Sequence, residues 1–212
     1  MFKFVNKVIK VLIMSDFLLN AGWGLLGPIF AIFLTEQIRG GNIKLAGFCA
    51  GTYWIVKSIC QPFIAHHLDK NHGEVDDFYF LIGGYFLVAF VPIGYIFATL
   101  PWHVLSLQVV YALGMACTIP TWAGIFSRHI DRGRENFEWS LESTSLGFAA
   151  GITGVLGGLI ASFIGFKFLL IAVSLFTFGS GLVLFLILRH ISPFAHHLIR
   201  PIPEVKDPAS PK

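Results

Sequence analysis

The sequence predicts an all-α polytopic membrane protein with six transmembrane helices, and three observations carry the prediction. Of 212 residues, 55 % are hydrophobic and only 13 % charged, more apolar surface than a soluble core absorbs. Six stretches each approach or exceed the roughly 20 apolar residues that a helix needs to cross the hydrocarbon. They are continuously apolar rather than alternating with period two, which argues against a strand barrel. Backbone in hydrocarbon must satisfy its own hydrogen bonds, which leaves helices.

The predicted spans run Val11 to Leu34, Leu45 to Ala65, Phe78 to Leu100, Val104 to Phe126, Trp139 to Ile164 and Phe168 to Leu188. Lys and Arg near span ends favour the cytoplasmic side. With the N-terminus on that side, it holds Lys3, Lys7, Lys10, Lys70, Arg128, Arg132, Arg134, Arg189, Arg200, Lys206 and Lys212, against Arg39, Lys44 and Lys167 opposite. The bias predicts a multi-pass protein of the cell membrane with both termini cytoplasmic. A cleaved signal peptide is not expected, because the first stretch is too long and carries Asp16 and Asn20. Residues 1–190 read as the transmembrane domain. Residues 191–212 hold five of the ten prolines and read as a cytoplasmic tail, interfacial at first and then disordered.

Ionisable groups inside the spans cost at least ~2.5–3.5 kcal/mol each on insertion scales, so each is a candidate functional residue. Asp16 sits about six residues from the cytoplasmic end of the first span, roughly 9 Å deep, and Lys57 about eight from that end of the second, roughly 12 Å. The matched depths allow a salt bridge, either a structural pair that lets both charges insert or a coupling pair with Asp16 as the protonatable group. Asp16, Asn20, Trp23 and Gly27 recur at helical spacing, as do Tyr53, Lys57 and Gln61 on the second helix. The fourth offers Gln108, Tyr111, Met115, Thr118 and Trp122. These stripes face protein or water, as walls of a polar cavity or as interhelical hydrogen bonds.

Gly147, Gly151, Gly154 and Gly158 fall on one face of the fifth helix and predict close backbone contact, inside the chain or across a dimer. Cys49, Cys60 and Cys117 lie within spans without CxxC spacing and read as packing residues. His66, His67, Asp69 and His72 cluster in the run HHLDKNH, but adjacent histidines point to different helix faces, and no metal is expected. Glu138 and Glu142 open the fifth helix, where carboxylates complement its dipole, and Glu142 lies deep enough to titrate. No phosphate loop, dinucleotide fingerprint or nucleophile elbow is present, so neither an enzyme, a cofactor nor nucleic-acid binding is expected.

Across residues 8–190 the chain resembles the N-terminal six-helix half of a major facilitator superfamily transporter. In the run AHHLDKNHGE, Ala65, Asp69 and Lys70 fit the signature loop between the second and third helices, Gly73 comes one residue late, and Glu74, Asp76 and Asp77 replace the usual basic pair. In LQVVYALGMACTIP, Gly114 and Pro120 fit the fourth-helix motif and place Gln108 where proton-coupled members keep arginine. The Gly-rich fifth helix runs into Phe166, Lys167 and Phe168, without the usual Gly-Pro pair.

The resemblance implies a fold of two three-helix repeats and transport by alternating access. For a chain running from Met1 to Lys212, the missing half is most simply a second copy, with the second helix of one protomer against the Gly147 to Gly158 stripe of the other. Expected partners are the bilayer, that second copy and a small organic solute. Asp16, Asn20, Trp23, Gln108, Tyr111, Thr118 and Trp122 are the expected pathway residues, and Asp16 with Lys57 the coupling or charge-balancing pair. The alternatives are one subunit of a heteromeric transporter and a non-transporting scaffold that keeps the fold.

Overall fold

The computed structural model describes residues 5–71, 74–188 and 190–191. The predicted tail beyond Ile191, together with His72 and Gly73, lies outside them. The described chain is helical throughout: α1 (Lys7–Leu26), α2 (Phe30–Gln37), α3 (Ile43–Asn71), α4 (Glu74–Phe97), α5 (Pro101–His129), α6 (Glu135–Phe163) and α7 (Phe166–Leu184).

α1 and α2 together make the first span, interrupted by one tight turn at Gly27–Ile29. Pro28 has no N–H to offer the carbonyl one turn back, and its ring crowds that carbonyl, so the α pattern cannot run through. Five segments are long and apolar enough to cross a membrane: Lys7–Gln37, Glu74–Phe97, Pro101–His129, Glu135–Phe163 and Phe166–Ile187. The helix over the remaining predicted span, α3, has the length at 29 residues. Its apolarity is diluted by Lys57, Gln61, His66 and His67. The helices also outrun their apolar windows at one end of the bundle: α3 continues to Asn71, α4 begins at Glu74, α5 reaches His129 and α6 begins at Glu135. Hydropathy marks where lipid stops, whereas backbone hydrogen bonding continues into the polar interface.

The packing has an internal exchange symmetry. α1 packs on α6 and α7, α5 packs on α3 and α4, and α4 meets α7 between them. Exchanging the first three spans with the last three maps this pattern onto itself, as two inverted three-helix repeats require. Glycine makes both major crossings possible: Gly114 of α5 lies against the Gly84 carbonyl and Val88 of α4, and Gly22 of α1 against the Val173 carbonyl and Thr177 of α7.

Two apolar clusters fill the bundle. The one at the end carrying the N-terminus joins Ile9, Leu12, Phe78, Tyr85, Phe126 and Leu184, and the one at the opposite end joins Leu26, Phe33, Val91, Tyr95, Val104 and Leu169. α3 and α6 stay peripheral. Phe48, Ile55, Ile59 and Phe63 of α3 and Phe148, Ile152, Val155 and Phe163 of α6 are exposed.

Polar contacts tie the N-terminal end together. Asn6 caps α1 by accepting from the Ile9 N–H at 2.9 Å, and its amide donates to the His129 carbonyl and to Asp131 at the α5–α6 turn. Arg128 bridges α5 to α4, its Nε 2.9 Å from Glu74 Oε1 and its other arm on Asp77. Glu74 and Asp77, two of the three acidic residues that stand in place of the usual basic pair, therefore share a cation.

Candidate functional site: an aromatic cavity between three helices

Beside the Pro28 turn that separates α1 from α2, residues of the first span, α3 and α5 surround an open space. The space is a cavity of about 270 Å³, lined among others by Trp23, Phe30, Tyr53, Trp54, Gln108 and Tyr111. Gly27 and the small Ala46 and Ala50 complete its walls and leave the room that larger side chains would fill.

Its wall is a stack of rings. Trp23 and Tyr111 lie face to face with centroids 4.0 Å apart and planes 17° from parallel, and Tyr53 covers the other side of Tyr111 at 4.7 Å and 20°. Stacked pairs of this kind hold about 0.5–1.5 kcal/mol beyond their burial, so the stack adds a side-chain link among three helices. Lys57, one turn from Tyr53 on α3, lays its Nζ 3.9 Å over the Trp54 ring and 5.4 Å from the Tyr53 centroid. The Trp23 Nε1 is buried without a hydrogen-bond partner. Gln108 is 6 % exposed and approaches the Tyr95 hydroxyl.

Residues 12–212 match the family model of the Major Facilitator Superfamily. The chain belongs to the Major Facilitator Superfamily. No curated protein matches it individually. Membership makes this a membrane transport protein, and the exchange symmetry of its helices is that of one six-helix half of the superfamily fold.

Within this superfamily member the seven pathway residues divide. Trp23, Gln108 and Tyr111 line the cavity. Thr118 is buried against Gly84, its hydroxyl donating to the Gly114 carbonyl at 2.8 Å. Trp122 lies in the cluster at the N-terminal end, stacked on Phe126 at 4.7 Å and donating from Nε1 to the Leu12 carbonyl at 3.3 Å. Asn20 turns back to donate to the Asp16 carbonyl at 2.9 Å.

Asp16 and Lys57 are not brought together. Among the described residues no ion pair joins them. The Asp16 carboxyl instead faces Glu142 of α6 and the Tyr85 hydroxyl of α4. That hydroxyl is wholly buried and makes no hydrogen bond of normal geometry. Depth along a helix was readable; azimuth was not, since α1 turns this face to α6 and Lys57 turns to the aromatic rings of its own helix.

The glycine stripe of α6 splits as well. Gly147, Gly151 and Gly158 have nothing within 4 Å where a Cβ would stand, and Gly154 meets only Pro28 at 3.5 Å. The close contact inside the chain is made by Gly157, pressed on the Leu25 backbone. Ala65, Asp69 and Lys70 occupy the last turns of α3. Among the described residues no group of three or more His, Cys, Asp or Glu is placed to hold a metal.

Sequence reasoning missed Trp54 and Phe30 as cavity residues. Trp54 is one position beyond the Tyr53 stripe, about 100° round the helix, and enters the wall because the cavity is wider than one stripe. A second, larger groove of about 540 Å³ lies between α1 and α6, lined by Ile13, Met14, Phe17, Leu141 and Phe148 among others. It is almost wholly apolar and offers little to orient a polar solute.

Proposed function

We propose that this chain is the six-helix half of a transporter for a small organic solute, working by alternating access, with a second copy supplying the opposite wall of the pathway. The observation that carries the reading is the aromatic cavity between α1, α3 and α5, with buried donors and no enclosing wall on the open side of α3. In this superfamily the solute binds between two six-helix halves near the bilayer midplane. A cavity walled by three helices of one half is what half of such a site offers.

The second copy is supported by the two peripheral helices. Gly147, Gly151 and Gly158 present bare backbone beside exposed Phe148 and Ile152, and α3 presents Phe48, Ile55 and Ile59. Bare glycine backbone permits the close helix contact on which association in lipid depends. A two-fold axis would set the α3 face of each copy against the α6 face of the other.

Coupling falls to Asp16 in this reading, with Glu142 rather than Lys57 as its partner. Two ionised carboxylates are acceptors only, so a proton held between them supplies the missing donor. Tyr85, Asn20 and Ser15 complete the surroundings. The protein is placed in the cell membrane with both ends cytoplasmic, in line with its basic residues.

The test is side-resolved labelling of Ala50→Cys in a background lacking Cys49, Cys60 and Cys117, in oriented vesicles. Alternating access expects labelling from both sides, with solute shifting the ratio. A dry position, labelled from neither side, would rule the pathway out in favour of a scaffold. Native mass in lipid nanodiscs tests the assembly: a pure dimer supports the homodimer, and a monomer or a complex with a different chain overturns it.

A further inference from the structure

We infer that the groove between α1 and α6 seats an anionic phospholipid of the cytoplasmic leaflet, with one acyl chain between Met14, Phe17, Leu141 and Phe148 and the headgroup phosphate on Lys10. The inference is independent of whether the chain transports. From the proposed orientation it takes only that the N-terminal end faces the cytoplasm.

The lining is the first reason. The groove holds about 540 Å³, and its walls are apolar except for Lys10, Thr144 and Ser145. The Ser145 hydroxyl donates to the Glu142 carbonyl of its own helix at 2.7 Å and asks nothing of an occupant. Met14 is 53 % and Phe148 63 % exposed, so the protomer itself leaves these walls uncovered.

Charge is the second. Lys10 is the one charged residue of the lining, with no Asp or Glu beside it there. Among the described residues no ion pair reaches Lys10, or Lys7, which lies one turn back and is exposed. A cation at the mouth of an apolar groove is met by an anion that arrives attached to hydrocarbon. The cytoplasmic leaflet carries anionic lipid, and a lysine at its surface strengthens binding about fivefold.

Dimensions are the third. Asn6 reaches the α5–α6 turn and Gly24 meets Thr153, so α1 and α6 run side by side in the same direction. From Lys10 to Phe17, and from Leu141 to Phe148, each helix advances about 10 Å, against roughly 15 Å of hydrocarbon in one leaflet. The groove thus opens at the interface and ends within that leaflet, along the course of an acyl chain. The bare glycines Gly147, Gly151 and Gly158 lie about 100° round α6 from Leu141, Ser145 and Phe148, which leaves the groove to lipid when a second copy covers the glycines.

The test is photocrosslinking of the purified chain in nanodiscs with phosphatidylglycerol carrying a diazirine in one acyl chain, followed by peptide mapping. The expected label falls on the peptides holding Phe17 and Phe148, and unlabelled phosphatidylglycerol competes for it about fivefold better than phosphatidylcholine of the same chains. Lys10→Gln removes that difference and Lys10→Arg keeps it, while an unchanged unfolding temperature shows that both variants are folded. If Lys10→Gln fails to fold, the wild-type map and competition decide alone. Label spread evenly over the exposed helices, equal competition by the two lipids, or a difference that survives in Lys10→Gln each overturns the inference. So does protection of the groove peptides that grows with the dimer fraction, which would give the groove to a second copy.

Discussion

Arg128, in the last turn of α5, holds the first turn of α4 through Glu74, with Nε 2.9 Å from Oε1, and its second arm reaches Asp77. Both carboxylates are buried, and Glu74 is 4 % exposed. Removing the cation strands two negative charges. Arg128→Gln is expected to cost about 1–3 kcal/mol, less than the loss for a fully enclosed pair because the Arg side chain is 41 % exposed. Adding Glu74→Gln and Asp77→Asn to it should restore part of the loss, and thermal unfolding in detergent reads both.

Gly157 and Gly151 separate two uses of glycine on one helix. Gly157→Ala drives a methyl into the Leu25 backbone and is expected to destabilise the protomer by about 1–3 kcal/mol. Gly151→Leu meets open space and leaves the unfolding temperature of the monomeric form unchanged. In the homodimer reading it lowers the dimer fraction measured by native mass, and an unchanged fraction would place the interface elsewhere.

The three stacked rings form a unit across helices. Trp23→Leu and Tyr111→Leu should show a coupling of about 0.5–1.5 kcal/mol in a double-mutant cycle of unfolding free energies. Additive losses would mean that the stack contributes no more than its burial.

Thr118 and Gln108 lie on the same helix and are expected to behave differently. Thr118→Val loses only a bond to its own helix carbonyl and should change stability by less than ~1 kcal/mol, with solute binding intact. Gln108→Leu should leave the fold intact and reduce labelling of Ala50→Cys, because it makes the cavity wall more apolar. Side-resolved labelling of Ala50→Cys in each background separates the two.

Much of the fold was readable because hydrocarbon imposes one rule, that each span must be long, apolar and helical. The helix over Leu45 to Ala65 was recognisable too, and α3 covers it, although Lys57, Gln61 and the histidines leave it less apolar than the five other spans. The break at Pro28 was missed because an apolar window does not register a lost backbone donor. The candidate site was legible in outline. Periodicity put Trp23, Tyr53 and Tyr111 on faces of three helices, and those faces converge. It could not say which helix each face meets, so Asp16 was matched to Lys57 by depth while its neighbour is Glu142, and Thr118 and Trp122 were grouped with Tyr111 although the helix carries them into the core. The bare glycines resemble packing glycines in sequence, and only the position of Gly157 against Leu25 distinguishes them.

The contact pattern also has a history written in time. α1 rests on α6 and α7, which follow it by more than about a hundred residues of chain. At ~5–20 residues per second, α1 waits roughly ten seconds before its permanent neighbours exist. For that interval Asp16 is without Glu142, and Gly22 and Gly24 are without Thr177 and Thr153. The neighbours that bury α1 in the finished bundle are therefore absent while α1 enters the membrane, and its polar and glycine faces are covered only when α6 and α7 arrive.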